Sequence, residues 1–348
     1  MGASRPGILL VGNFLSGAGF TRGVCEDLAE RLTEAGWSVI TTSHKPARLP
    51  RLADMVVTAW RRRHEYAVAQ VDVYSGPSFL WAEAVCWVLR RAGKPYVLTL
   101  HGGALPAFAR RWPGRVRRLL RSAAAVTTPS RYLWEQMRPY RPELHLLPNP
   151  LDIGRYPFAP RQRPQPRLVW LRAFHRIYNP TLAPRVVALL AREFPNVHLT
   201  MVGPDKGDGS LQATQHLAVE LGVAGRIAWL GGVLKADVPV WLSQGDIFLN
   251  TTNVDNTPVS VLEALASGLC VVSTDVGGIP YLLEHEEDAL LVPPDDPEAM
   301  AAAVRRVLTE PGLAERLSRN ARKKAEGFDW SVVLPQWEKL LLEVSDHA

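Results

Sequence analysis

Short apolar runs alternate with amphipathic stretches along nearly the whole chain. Ile8–Val11, Val39–Thr42, Val71–Tyr74, Tyr96–Leu100, Ala125–Thr128 and His145–Leu147 predict strands, with helices over Val24–Ala35, ending at Gly36, and Leu80–Arg91. The stretch from Pro157 to Pro166 holds four prolines and little apolar content, and reads as an interdomain linker. The pattern then restarts, with strands predicted at Leu168–Leu171, His198–Val202, Ile227–Leu230, Ile247–Asn250, Val271–Thr274 and Ala289–Val292. Helices are predicted at Leu182–Glu193, Val238–Ser243, Thr257–Ser267 and Pro297–Leu308, and a last amphipathic segment, Trp330–Val344, is expected to return to the first domain. Such alternation implies an α/β fold with doubly wound, mainly parallel sheets, here two Rossmann-like halves in tandem. The expected domains are 1–163 and 164–327, followed by a terminal helix over 328–348. In sheets of this kind ligands bind beyond the C-terminal strand ends.

Two acids stand out against this pattern. Asp255 falls on a loop before a helix, and Glu263 falls inside that helix. Thr257 fits the cap, Pro258 the first helical position and Gly268 the stop. The helix is mostly apolar, so Glu263 is expected to be buried and to need partners. The helix start at Thr257, Pro258 and Val259 is a place for an anion, because the first turn has free N–H groups. Hydroxyls at both ends and an anion between them describe a nucleoside-diphosphate sugar. The competing reading makes Ser260 and Glu263 a capping box and Asp255 a turn residue, although Pro258 sets the helix start earlier than Ser260.

Length and composition narrow the classes. A chain of 348 residues usually splits into two domains. No apolar run approaches the roughly 20 residues that span a bilayer, and Met1 to Gly12 reads as a first strand, not a signal peptide. Cys25, Cys86 and Cys270 are scattered, which fits no metal site or disulfide framework and suggests a reducing cytosol. The net charge of +6 hides an asymmetry: residues 1–163 hold 24 Lys/Arg against 11 Asp/Glu, and the rest hold 16 against 23. Much of the excess lies in Arg61-Arg62-Arg63 and in Arg110, Arg111, Arg115, Arg117, Arg118 and Arg121. With Trp112, Leu119 and Leu120 interleaved, the segment Arg110–Arg121 is a candidate for an anionic membrane surface, and a solvated helix face is the alternative. No nucleic-acid signature accompanies the charge, so no nucleic-acid partner is expected.

Other candidates lie at strand ends. The turn from Gly12 to Gly23 places Gly17 and Gly19 where a backbone could approach phosphate or sugar, or it is simply a loop. It lacks a P-loop ending, and Arg22 occupies the third glycine position of a dinucleotide fingerprint, which disfavours a nicotinamide oxidoreductase. His101 ends a predicted strand before Gly102-Gly103, and structural and cleft roles both stay open. Arg172 and Arg176 follow the first strand of the second half, where they could neutralise a diphosphate or form a solvated turn. No Asp-x-Asp follows a strand, and Asp295-Asp296 reads as a helix cap, so no metal or other cofactor is expected.

Assembled, these residues resemble the retaining GT-B glycosyltransferases of glycosyltransferase family 4. The likeness is strongest from Asn250 to Pro280, which looks like the family's Glu-x7-Glu block and Gly-Gly turn. Leu147-Pro148-Asn149-Pro150-Leu151-Asp152, Val202-Gly203-Pro204 and Phe328-Asp329-Trp330 also match. The resemblance implies two Rossmann-like domains facing a cleft, a nucleotide-sugar donor on the second and a glycan, lipid-linked or small-molecule acceptor on the first. It further implies that Glu263 holds the ribose hydroxyls, Asp255 meets the transferred sugar, Arg172 holds the diphosphate and His101 lines the reaction centre. Two positions depart from the family: Asp255 is one methylene shorter than the usual Glu, and Ile177 stands where Lys is common, leaving Arg176 as the substitute. A nucleotide-sugar epimerase and a non-catalytic nucleotide-sugar or membrane-surface binding module are the alternatives.

Overall fold

Ile8, Leu9 and Leu10 are buried in unbroken succession, as in a parallel strand covered by helices on both faces. This run belongs to β1 (Gly7–Val11) in a computed structural model that describes residues 5–18 and 22–346. The chain divides into two units, one formed by the described residues up to Pro150 and from Trp330 onward, the other by Leu151–Asp329.

In the first unit β1 is followed by α1 (Val24–Glu34), β2 (Ser38–Thr42), α2 (Arg48–Arg61), β3 (Val68–Val73), α3 (Ser78–Arg91), β4 (Tyr96–Leu100), α4 (Leu105–Arg111), α5 (Pro113–Arg121), β5 (Ala125–Thr128), α6 (Arg131–Met137) and β6 (His145–Leu146). Its described strands form a six-stranded sheet in the order β2-β1-β3-β4-β5-β6, with every pairing parallel. The strand order reverses direction between β1 and β3, which opens a crevice at their C-terminal ends.

The second unit runs through β7 (Arg167–Leu171), α7 (Leu182–Leu190), β8 (His198–Val202), α8 (Ser210–Glu220), β9 (Ile227–Gly231), α9 (Val238–Ser243), β10 (Ile247–Asn250), α10 (Val259–Ala266), β11 (Cys270–Thr274), α11 (Ile279–Leu282), β12 (Ala289–Val292), α12 (Pro297–Thr309) and α13 (Leu313–Glu326). Its described strands form a six-stranded parallel sheet, β12-β11-β10-β7-β8-β9, which switches between β10 and β7.

The proline-rich stretch expected to be a linker belongs to the second unit. Just ahead of it, Ile153 and Tyr156 join a core with Leu262, Leu265 and Leu269. Arg161 is buried and pairs with Asp246 at 3.1 Å. The division therefore falls at Pro150/Leu151, ahead of the expected 163/164. Prolines remove backbone donors, but one buried Arg–Asp pair and a few apolar anchors hold the segment down. The last helix, α14 (Trp330–Asp346), packs in the first unit, with Trp337 and Leu341 against Ile8, Leu10 and Leu32. There Trp37 Nε1 donates to Glu338 at 3.0 Å.

Candidate functional site

Each sheet presents polar side chains at its switch point. In the second unit Arg172 follows β7 and Asp255 lies on the loop after β10, the two strands that flank the reversal. Backbone packing fixes both residues. A Cβ on Gly203 would strike the Arg172 carbonyl. Likewise, Cβ atoms on Gly277 and Gly278 would strike the carbonyls of Asp255 and Asn256, and the Gly278 N–H donates to the Asp255 carbonyl at 2.9 Å. The Gly-Gly turn is thus a seat for the acid-bearing loop, which only residues without a side chain can form.

Arg172 donates through Nη2 to Asp255 Oδ2 and lies over the Tyr178 ring, 4.4 Å from its centroid. Its Nε is buried without a partner among the described residues. Burial pushes its pKa down, against the pull of Tyr178 and Glu263. The other Asp255 oxygen, Oδ1, accepts from the Asn256 N–H at 2.8 Å. Glu263 is only 5% exposed and accepts from the Tyr156 hydroxyl at 2.8 Å. Burial raises its pKa, opposed by Lys235, the Tyr156 hydrogen bond, Arg172 and Arg155. Burial also raises Tyr156, with Glu263 adding to the shift. The result is a cation and two acids converging with spare polar capacity: one unpartnered guanidinium nitrogen, and an unpartnered buried Ser260 hydroxyl in the first turn of α10.

The start of α10 differs from its expectation. The helix starts at Val259 with Pro258 as its cap, at ψ 120°, so Thr257 lies outside it and Pro258 is not its first helical residue. Extended backbone at Pro258 holds the loop away from the helix axis. The Ser260–Glu263 capping box is absent, because the Ser260 hydroxyl accepts from nothing and Glu263 turns to Tyr156. Arg176 is exposed, and its backbone N–H donates to Asp208 at 2.9 Å while its side chain makes no described contact with Arg172 or Asp255. Lys235, from the loop after β9, is the cation with the largest pull on Glu263. It stands far from Arg172 in sequence, so the pattern did not point to it. Tyr156, one residue ahead of the supposed linker, carried no signal in the pattern.

In the first unit, His101 follows β4 and its N–H donates to the Val73 carbonyl at 2.9 Å. Its Nε2 meets Asp72 Oδ1 at 2.9 Å, and its ring stacks on Tyr74 with centroids 4.9 Å apart. Gln70 Nε2 donates to the same Asp72 oxygen and to Thr99 Oγ1, both at 2.8 Å, and the Thr127 hydroxyl closes the network on Thr99 at 3.0 Å. Asp72 has space because residue 12 is glycine: a Cβ there would sit 2.7 Å from its Oδ2. A carboxylate only accepts, so neutral His101 carries its proton on Nε2 and its lone pair on Nδ1. The ring borders a cavity of 290 Å³ lined by Asn13, Gly23, Cys25, Asp72 and Tyr74 among others. Asp72 was not anticipated, since one acid within an apolar run has no spacing signature.

Gly17 sits on an exposed 3-10 turn, Ser16–Ala18, and Gly19 lies outside the described residues. The Ser16 and Gly23 N–H groups donate to the two oxygens of Glu26, at 2.9 and 3.0 Å. The chain's own carboxylate therefore takes two of the turn's amides. In the arginine-rich segment Val116, Leu119 and Leu120 are buried and Arg115 pairs with Glu83, so of the apolar residues expected on the membrane face Trp112 alone stays exposed. Among the described residues no helix is long and apolar enough to cross a membrane, and no cluster of three His, Cys, Asp or Glu could hold a metal.

Comparison with known proteins gives this geometry a context. D-inositol 3-phosphate glycosyltransferase of Mycobacteroides abscessus is 32% identical over 161 residues, 46% of this chain and 36% of that protein. Glycogen synthase of Mycobacterium tuberculosis is 28% identical over 197 residues, 55% of this chain and 46% of that protein. The matched part thus spans less than half the length of these relatives. Among solved structures, sucrose-phosphate synthase from Thermosynechococcus elongatus superposes with a TM-score of 0.78 at 19% identity, over 99% of this chain and all of that one. Anabaena HepE in complex with UDP gives 0.76 at 20% identity, over 97% of this chain and all of that one. These likenesses show the GT-B fold. Residues 20–155 match the model of Glycosyltransferase Family 4 and residues 165–310 that of Glycosyl transferases group 1, and the chain belongs to the glycosyltransferase family these models describe.

Proposed function

We propose that the chain transfers a sugar, with retention of anomeric configuration and without a metal, from a nucleoside-diphosphate sugar to a hydroxyl of a glycan or lipid-linked acceptor. The observation that carries this reading is the convergence of Arg172, Asp255 and Glu263 at the switch point of the second sheet. Crystal structures of Anabaena HepE with UDP and with UDP-glucose add support for a nucleotide-sugar donor.

Glu263, held by Tyr156, would accept from the ribose hydroxyls. The Arg172 guanidinium and the first turn of α10 would take the diphosphate, and the competition of phosphate for Arg172 would release Asp255 Oδ2 toward a sugar hydroxyl. Cleavage of the bond between anomeric carbon and phosphate leaves its electron pair on the diphosphate, where fixed cationic and N–H groups stabilise it. The acceptor oxygen then bonds to the anomeric carbon from the leaving group's face, and its proton passes to a phosphate oxygen. On the first unit, His101 Nδ1 would accept from a hydroxyl of the acceptor, and Asp72 would act through His101 as a positioning residue.

The test incubates UDP-, GDP- and ADP-sugars in EDTA with and without acceptor. One donor should give an acceptor-dependent glycoside of unchanged anomeric configuration. Turnover that needs added divalent metal, an inverted product, or conversion of the donor without acceptor would overturn the respective part of the proposal.

A further inference from the structure

Two outward apolar stripes meet on one face of the first unit. On α2 the stripe is Leu49, Val57 and Trp60, and on α3 it is Leu80 and Trp87; the two tryptophans are 46% and 54% exposed. The spacings of eight, three and seven residues line each set along one side of its helix. Between the helices runs a groove of 480 Å³ lined by Val56, Val57, Trp60, Arg61, Trp87 and Arg91 among others. A contiguous exposed patch with two tryptophans marks a contact surface rather than scattered surface apolarity.

The rim of the groove is cationic. The Arg63 guanidinium lies 4.4 Å from the Trp60 ring centroid and that of Arg91 5.1 Å from Trp87. Residues 48–94 carry eight Lys/Arg and four Asp/Glu, and none of those acids offsets the rim. Glu65 is bound by Arg62, Glu83 by Arg115, Asp54 by the Thr42 hydroxyl, and Asp72 by Gln70 and His101. Arg61, Arg63 and Arg91 have no carboxylate partner among the described residues. The Arg115–Glu83 pair also ties α5 to α3.

We propose that the α2–α3 face docks on an anionic lipid bilayer, with Trp60 and Trp87 entering the headgroup boundary and the surrounding arginines meeting lipid phosphates. Tryptophan suits that boundary because its ring is apolar and its N–H is polar. Each surface-bound arginine adds attraction to anionic lipid. A second copy of this chain fits poorly, since a twofold contact would set the arginines of one rim against those of the other. The inference stands apart from the identity of donor or acceptor.

The test is co-sedimentation of the full chain with vesicles of phosphatidylcholine alone or mixed with phosphatidylglycerol. The wild type should bind only the anionic vesicles, and binding should weaken as salt rises. Trp60→Ser with Trp87→Ser should weaken binding about tenfold or more, and Arg61→Gln or Arg91→Gln about fivefold each. Unchanged circular dichroism and melting temperature would show that the variants fold, as expected for exposed positions. The proposal is overturned by an absence of binding at low salt, by binding insensitive to the tryptophan pair, or by loss through Arg117→Gln and Arg118→Gln alone. It is equally overturned if the wild type sediments as a dimer that the tryptophan substitutions split.

Discussion

Glu263 shows what a buried acid costs the fold. Its burial raises its pKa, so ionising it weakens the native state. The stability contributed by the neutral form is complete below the unfolded pKa and is lost as pH climbs through the raised folded value. Glu263→Gln should therefore melt higher than wild type at pH 7, and the gap should close below about pH 4. The same variant should bind nucleotide more weakly, and a lower melting temperature across the whole pH range would refute this account of the residue. Asp72→Asn makes a different prediction. The amide can donate, so the His101 tautomer loses its fixed partner. Turnover should fall about tenfold or more with an altered pH–rate profile and little change in donor KM, whereas a purely structural role would leave the pH profile intact. Asp255 and Glu263 were legible as a pair because loop and helix signals surround them. Tyr156, Lys235 and Asp72 were not, because burial and the field of a distant lysine leave no local pattern.

At the level of elements, the seating of the Asp255 loop against Gly277-Gly278 is the most exposed to test. Gly278→Ala drives a Cβ into the Asn256 carbonyl. The loop must shift, at a cost of about 1–3 kcal/mol, and Asp255 moves with it. Denaturant unfolding should register the loss, and donor affinity should drop with it; wild-type values for both would remove the seat from the argument. Most strands were legible, since buried parallel strands are continuous apolar runs. Several helices were not. The inner face of α8 is Ser210, Thr214 and Ala218, which shows no apolar period, while α13 buries two leucines and three small alanines among many charges, a weak apolar stripe. In α2 the pattern is inverted, with Arg51, Met55 and Ala59 inside and Leu49, Val57 and Trp60 outside.

Over the whole molecule, chain order and spatial unit diverge. The last helix contributes Trp330, Val333, Trp337 and Leu341 to a core built by the first residues of the chain. Trp337→Ala should cost about 3–5 kcal/mol, measured by urea unfolding; a loss under about 1 kcal/mol would mean that α14 is not integral to the first unit. Part of the basic excess also acquires a location, because Arg61 and Arg91 line the α2–α3 groove, while the proposed donor residues lie in the acidic half. The central claim concerns that donor cradle, and calorimetric titration in EDTA tests it most directly, using whichever of UDP, GDP or ADP binds wild type. Arg172→Met and Glu263→Ala should each weaken that nucleotide about tenfold or more. Wild-type affinity in both variants, or no binding by wild type once metal is chelated, would contradict it.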